Sequence, residues 1–191
     1  MVKLINVSTK VVCTGALGSG KTDIFKPLFK ISLLSRPEAS FGRIKKRVKD
    51  DDLNVEFNID AQIAILSSRE ELKEIRKKLI READLIFVSF NFKRKNTFDQ
   101  LDKYFEEAYN TNPSAAYTIV GYHSSMHGEE KTEINPGAPL IKVRELSERH
   151  GRVFQYFEVH RLDYIEAMNA LLQTIKMHLF VIKNMPVPSP F

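Results

Sequence analysis

The stretch that decides the fold is Gly15-Ala16-Leu17-Gly18-Ser19-Gly20-Lys21-Thr22, which matches the pattern G-x-x-x-x-G-K-S/T at every fixed position. A β-branched run at 10–14 precedes it and predicts a buried strand. An apolar pattern with helical spacing follows it over 23–34, although Pro27 interrupts that pattern. This motif requires a loop between a strand and a helix, so the stretch predicts a phosphate-binding loop.

The residue types of this loop suit phosphate chemistry. Glycines allow successive backbone N–H groups to turn toward phosphate oxygens, and the start of a helix favours negative charge. The Lys21 ammonium would neutralise the outer phosphates, and the Thr22 hydroxyl would ligate Mg²⁺. The candidate nucleotide-binding residues are Gly15, Gly18, Ser19, Gly20, Lys21, Thr22 and Asp23.

Beyond the loop, strand and helix patterns alternate. Strand candidates at 41–48 and 55–66 flank an acidic turn and predict an antiparallel hairpin. Three more strand candidates follow, at 84–92, 115–122 and 153–159. Since most strands are separated by helices, we expect an α/β fold of the P-loop NTPase type. Its sheet would have six strands, mainly parallel with one antiparallel edge strand, and helices on both faces.

The helix boundaries are predicted from capping patterns. Capping boxes at 67–70 and 97–100 predict two helix starts. A third helix at 140–150 should end at Gly151, and Asp163 should cap a closing helix. We therefore expect one domain over 1–183 and a flexible, proline-rich tail over 184–191.

Composition excludes several classes of protein. The 191 residues carry a net charge of +5, 43% hydrophobic residues and one cysteine, so a disulfide framework is excluded and disorder is not expected. The basic excess is mild and is typical of a solvated basic face, so we expect no specific nucleic-acid binding. We expect no transmembrane segment, because no apolar run reaches the ~20 residues that span a bilayer. We also expect no lipid anchor, because Val2 is not the glycine that myristoylation needs and 188–191 hold no prenylation cysteine. A cytoplasmic location follows as an expectation.

The phosphate loop, the hairpin and the R-E-L-S-E-R-H-G stretch at 144–151 together resemble the Ras-like small GTPases, closest to Ras and Rab proteins. The similarity covers about residues 10–179. It implies binding of GTP or GDP with Mg²⁺. It also implies that an effector or scaffold protein binds the face formed by the first switch, 35–44, and the helix at 68–83.

The resemblance implies a metal site that departs from the family pattern. The family's first-switch threonine falls on Ser40 and its second-switch aspartate on Asp60, so Thr22, Ser40 and Asp60 are the candidate Mg²⁺ ligands. The second-switch glycine is replaced by Ile63, and Gln62 follows Asp60 by two residues instead of four.

The base-recognition motifs are also changed. The family's N-K-x-D corresponds to Tyr122-His123-Ser124-Ser125, which has no carboxylate to recognise guanine, and its S-A-K corresponds to His160-Arg161-Leu162. Tyr122 or His123 could instead stack on a base, or the whole group could be loop residues without a ligand. The candidate base contacts are Tyr122, His123, Ser125, His160 and Arg161.

Leu17 stands where Ras has glycine, and together with the displaced glutamine it predicts slow or absent hydrolysis, with no catalytic residue assigned. Two alternatives remain open. One is a pseudo-GTPase scaffold without a nucleotide cycle. The other is a different P-loop enzyme such as a nucleotide kinase, although the sequence shows no arginine-rich lid.

Overall fold

A computed structural model describes residues 3–29, 34–124, 134–161 and 163–185. Within these ranges, seven strands form one sheet in the order β2-β3-β4-β1-β5-β6-β7. The strands are β1 (Lys3–Gly15), β2 (Leu34–Ser35), β3 (Ala39–Asp50), β4 (Val55–Leu66), β5 (Leu85–Asn91), β6 (Ala116–His123) and β7 (Gln155–His160). The α-helices are α1 (Lys21–Phe25), α2 (Lys73–Arg81), α3 (Lys95–Asp99), α4 (Leu101–Thr111), α5 (Ala138–His150) and α6 (Tyr164–Lys176).

The expected α/β architecture is confirmed, with one correction to the strand count. The sheet is parallel from β4 through β1 to β7, and β3 pairs antiparallel with β4 as the hairpin predicted. A seventh strand, β2, extends that edge by pairing antiparallel with β3. The expectation of six strands was wrong because a two-residue strand is too short to leave a periodic pattern in the sequence.

Helices cover both faces of the sheet, as predicted. Apolar residues of α1 and α6, such as Phe25 and Leu171, pack on one face in a first core cluster. Residues of α2, α4 and α5, such as Ile80 and Phe105, pack on the other face in a second cluster. The second half of β1 is buried continuously because both of its faces are covered, whereas its first half alternates between buried and exposed residues.

Helix α1 is much shorter than the predicted 23–34. The α-helix ends at Phe25, and a 3₁₀ turn over Lys26–Leu28 follows. Pro27 lies in the first positions of this turn, where the backbone N–H is not needed for a hydrogen bond within the turn. The proline therefore ends the α-helix and does not kink it. Residues 30–33 of the predicted helix lie outside the described ranges.

Neither predicted capping box forms. The helix expected from 67–70 begins with a 3₁₀ turn at Glu70–Leu72 and has no side-chain cap. Thr97 lies inside α3, buried, where its Oγ1 accepts a hydrogen bond from the Asn91 backbone N–H at 2.8 Å. By contrast, the Gly151 end of α5 and the Asp163 cap of α6 are confirmed.

A π-helical turn over Met177–Ile182 continues α6. No helix in the described part of the chain is both long enough and apolar enough to cross a membrane. Residues 186–191 of the expected tail lie outside the described ranges.

Candidate functional site

The phosphate loop lies between β1 and α1, at the carboxyl edge of the parallel strands. Gly18 and Gly20 have φ angles of 83° and 85°, in the left-handed region that favours glycine. A β-carbon at Gly20 would also overlap the ring of Tyr122. Glycine is therefore required there both by backbone conformation and by packing.

Lys21 folds back over the loop. Its Nζ donates to the carbonyl oxygens of Gly15 and Ala16, at 2.7 Å each. Burial, with a smaller contribution from the positive charge of Arg76, lowers the pKa of Lys21 to about 8. An anion bound at the loop would counter this penalty, because it favours the charged ammonium. Beneath it, burial raises the pKa of the Cys13 thiol to about 12, which fits a neutral core residue.

Strand β5 supports the loop from below. Ser89 pairs in register with Gly15, and its Oγ lies 2.8 Å from the Oγ of Ser19, with both side chains buried. Asn91 Nδ2 donates to the Gly18 carbonyl at 3.2 Å. The sequence patterns did not predict that Ser89 and Asn91 support the loop. The available clue was that β5, the next parallel strand, should end beside the loop.

Asp60, predicted as a Mg²⁺ ligand, does not lie beside the phosphate loop, so that prediction is wrong. It lies in the middle of β4, opposite Ser8 of β1 and thus seven residues before Gly15 in register. At ~3.3 Å per residue, this places it roughly 20 Å from the loop. Two hydrogen bonds of 2.6 Å from Arg43 hold the carboxylate and are the main reason that its pKa is lowered.

Ser40 pairs with Ile65, which pairs with Cys13, so about 10 Å across the sheet separates the backbone of Ser40 from β1. It lies within β3, two strands from β1, and its Oγ is 3.1 Å from the Oγ of Ser35. The residue that follows the carboxyl end of β4 is Ser67, so no carboxylate stands there. No cluster of three metal-ligating side chains occurs among the described residues. Of the three predicted ligands, Thr22 alone lies at the loop.

The predicted base contacts form a stack of their own. His123 and His160 are register partners on β6 and β7, and their rings stack at 4.4 Å between centroids. Phe92 stacks on His123 at 4.2 Å. Both faces of the His123 ring are therefore covered. Tyr122 is 2% exposed and packs against Gly20. Neither side chain can stack on a base in this arrangement, contrary to the expectation.

The other predicted base contacts are His160, Arg161 and Ser125. His160 binds Glu166 twice, through Nδ1 at 3.0 Å and through its backbone N–H at 2.6 Å. Arg161 is exposed at the end of β7. Ser125 lies outside the described residues. Among the described residues, this edge of the site presents two stacked imidazoles, which pair with Glu158 and Glu166, and the exposed Arg161.

The motif loop at the carboxyl edge of a mainly parallel sheet, with an antiparallel hairpin at one side, defines a P-loop GTPase fold. The chain belongs to the Ras family, whose family model matches residues 10–177. It is a small GTPase-like nucleotide-binding protein, and Ras family members generally bind guanine nucleotide with Mg²⁺. No individual curated protein matches the chain.

Proposed function

We propose that this protein is an atypical small GTPase that binds GTP or GDP with Mg²⁺, hydrolyses GTP slowly or not at all, and acts by binding a partner protein. The observation that carries the proposal is the complete phosphate loop with the Lys21 ammonium held across it. In the same molecule, Asp60 and Gln62 lie opposite Ser8 and Lys10 of β1, away from this loop.

The loop residues would bind the phosphates as follows. Backbone N–H groups of 15–22 surround the phosphate oxygens, and Lys21 contributes its charge. The exposed Thr22 hydroxyl, next to Lys21, would hold Mg²⁺ together with phosphate oxygens and water. When bound, the ion neutralises part of the phosphate charge. The base would be discriminated weakly, because the guanine-binding carboxylate is missing.

The direct test is to denature the purified protein and identify any released nucleotide by chromatography. Guanine nucleotide would support the proposal and would show that the base site works without its carboxylate. Adenine nucleotide would favour the kinase alternative. If nothing is released, a titration with GTP, GDP and Mg²⁺ decides, and no binding in that titration would favour the scaffold alternative.

Slow hydrolysis is proposed from three positions. Gln62 pairs in register with Lys10, five residues before Gly15, so it lies about 15 Å from the loop at ~3.3 Å per residue. Leu17 projects from the loop and is 81% exposed. Ser67 follows the end of β4, so no carboxylate stands at that position. Since phosphoryl transfer depends on positioned groups, little remains to orient the attacking water.

We therefore expect a single-turnover GTP hydrolysis rate below about 10⁻⁴ s⁻¹, slower than intrinsic rates typical of small GTPases. The Leu17→Gly variant should remain slow, because restoring space does not restore a water-positioning group. Phosphate release measured with Lys21→Ala as a blank separates true turnover from contamination. Rapid release without an activator would refute this expectation.

The proposal that the protein binds a partner rests on exposed apolar residues of the face formed by β2, β3 and α2. Leu34 is 60% exposed and Ile75 is 45% exposed. Between these elements lies a groove of about 430 Å³, lined in part by Phe41 and Leu79. Apolar side chains exposed around a groove are typical of protein-binding surfaces.

A second candidate, a scaffold with no nucleotide cycle, is favoured by one observation. The buried guanidinium of Arg76 donates to the carbonyl oxygens of Ser67 and Arg69, at 3.2 and 3.0 Å, and fixes the segment that follows β4. A segment held in this way would not respond readily to the γ-phosphate.

A further inference from the structure

A second cation lies against the phosphate loop. Arg94, between β5 and α3, places its guanidinium beside Gly18. A β-carbon at Gly18 would overlap Arg94 Nη1 and would lie 3.1 Å from both Cδ and Cζ of the same side chain. The absence of a side chain at Gly18 is thus what allows the guanidinium to reach the loop.

The backbone of Arg94 is anchored at this place. Its N–H donates to the Asn91 carbonyl at 2.9 Å. Its own carbonyl accepts from the Thr97 backbone N–H at 2.8 Å and from Thr97 Oγ1 at 2.7 Å. Asn91 in turn donates to the Gly18 carbonyl. Loop and arginine are therefore held together by one hydrogen-bonded network, which fixes where the side chain begins.

The guanidinium lacks a counter-charge within the described ranges. No ion pair or side-chain hydrogen bond is formed by Arg94 there, whereas the neighbouring Lys95 pairs with Asp99 at 2.9 Å. Arg94, from the β5–α3 connection, and Lys21, from the phosphate loop itself, place two positive charges beside the same loop. Guanidinium groups bind phosphate in a bidentate manner, and charge-assisted bonds of this kind are among the strongest in proteins.

We propose that Arg94 is a phosphate-binding residue supplied by the β5–α3 loop, which contacts the phosphate chain of the nucleotide held by residues 15–22. The inference rests on the proposed function, because the phosphate loop must bind a polyphosphate for Arg94 to reach it. The ligand class is a nucleoside di- or triphosphate. Recognition by Arg94 is directed at the phosphates and is indifferent to the base.

The test compares Arg94→Ala, Arg94→Lys and the matched control Lys95→Ala, which removes the same charge from the next position. Calorimetric titration with GTP, GDP and inorganic pyrophosphate gives the affinities. We expect Arg94→Ala to weaken all three by about 10- to 100-fold, as for a lost charge-assisted hydrogen bond. Arg94→Lys should recover only part of the affinity, and Lys95→Ala should stay within about twofold of the wild type.

The outcomes separate this inference from the proposed function. If Arg94→Ala binds all three ligands as the wild type does while Lys21→Ala binds none, Arg94 is a surface residue only and the proposed function stands. If the wild type binds neither nucleotide nor pyrophosphate, both fail. Loss of nucleotide affinity with unchanged pyrophosphate affinity would also overturn the inference, since it would place Arg94 at the nucleoside. An unchanged thermal midpoint of ligand-free Arg94→Ala excludes a folding defect.

Discussion

Replacing Lys21 with alanine is expected to abolish nucleotide binding while leaving the fold intact. The Lys21 ammonium bridges two loop carbonyls, and in a site with two or more phosphates such a charge carries a large share of the binding energy. We expect an affinity loss of at least about 100-fold in a calorimetric titration. Unchanged affinity would contradict the assignment of this loop as the phosphate site.

The same residue predicts how binding depends on pH. In the free protein, the pKa of Lys21 is lowered to about 8, and a bound phosphate should raise it because it favours the ammonium. Between these two pKa values the complex holds more protons than the free protein, so affinity is full below pH 8 and falls as the pH rises. We expect a loss of about tenfold between pH 7 and pH 9.

Two variants serve as controls for this behaviour. Lys21→Arg keeps its charge throughout this range, so any binding it retains should not depend on pH in the same way. Lys21→Ala should remain folded, as judged by its thermal midpoint, because the ammonium that it removes is costly to bury in the free protein. If wild-type affinity is as high at pH 9 as at pH 7, the proposed role of the partly buried ammonium is wrong.

Local sequence patterns predicted the phosphate loop and the alternating layout, because both are written in consecutive residues. The second metal ligand could not be found in that way. Counting residues placed Asp60 at the metal, but its position depends on how far the β3–β4 hairpin shifts β4 along β1. The register Ser8↔Asp60 results from long-range pairing, which no local motif encodes.

The predicted base contacts also depended on long-range pairing that local sequence patterns do not encode. His123 and His160 lie far apart in the sequence, and each is a reasonable partner for a base when taken alone. The two residues are register partners on the neighbouring parallel strands β6 and β7, so their rings lie side by side and stack. Thr97 offers a smaller case: its capping-box pattern is correct locally, yet the buried hydroxyl binds Asn91 instead.

Replacing Arg76 with methionine is expected to destabilise the protein strongly. Arg76 is 1% exposed, and its Nε and Nη2 donate to the two carboxylate oxygens of Glu107 on α4, at 2.5 and 2.9 Å. Removing one member leaves a buried, uncompensated carboxylate, which typically costs about 3–5 kcal/mol. Urea denaturation followed by circular dichroism should show this loss as a lower midpoint with little change in slope.

The double variant Arg76→Met/Glu107→Leu separates the ion pair from the other contacts of Arg76. With both charges gone, most of the ion-pair penalty should disappear, because an apolar pair of similar volume can replace a buried salt bridge. Recovery should stay incomplete, since the carbonyl oxygens of Ser67 and Arg69 lose their donor. A single-variant loss below about 1 kcal/mol would show that the carboxylate finds water or another partner.

Hydrogen exchange tests what the Arg76 contacts do for the segment that follows β4. In the wild type, the Ser67 amide donates to the Glu38 carbonyl at 2.8 Å, and the carbonyls of Ser67 and Arg69 are held by Arg76. The double variant loses only the Arg76 side of this arrangement, so amides at 67–72 should exchange faster while those of β1 and β5 keep their protection. Equal acceleration throughout the sheet would instead mean that Arg76 stabilises the fold as a whole and does not specifically hold this segment.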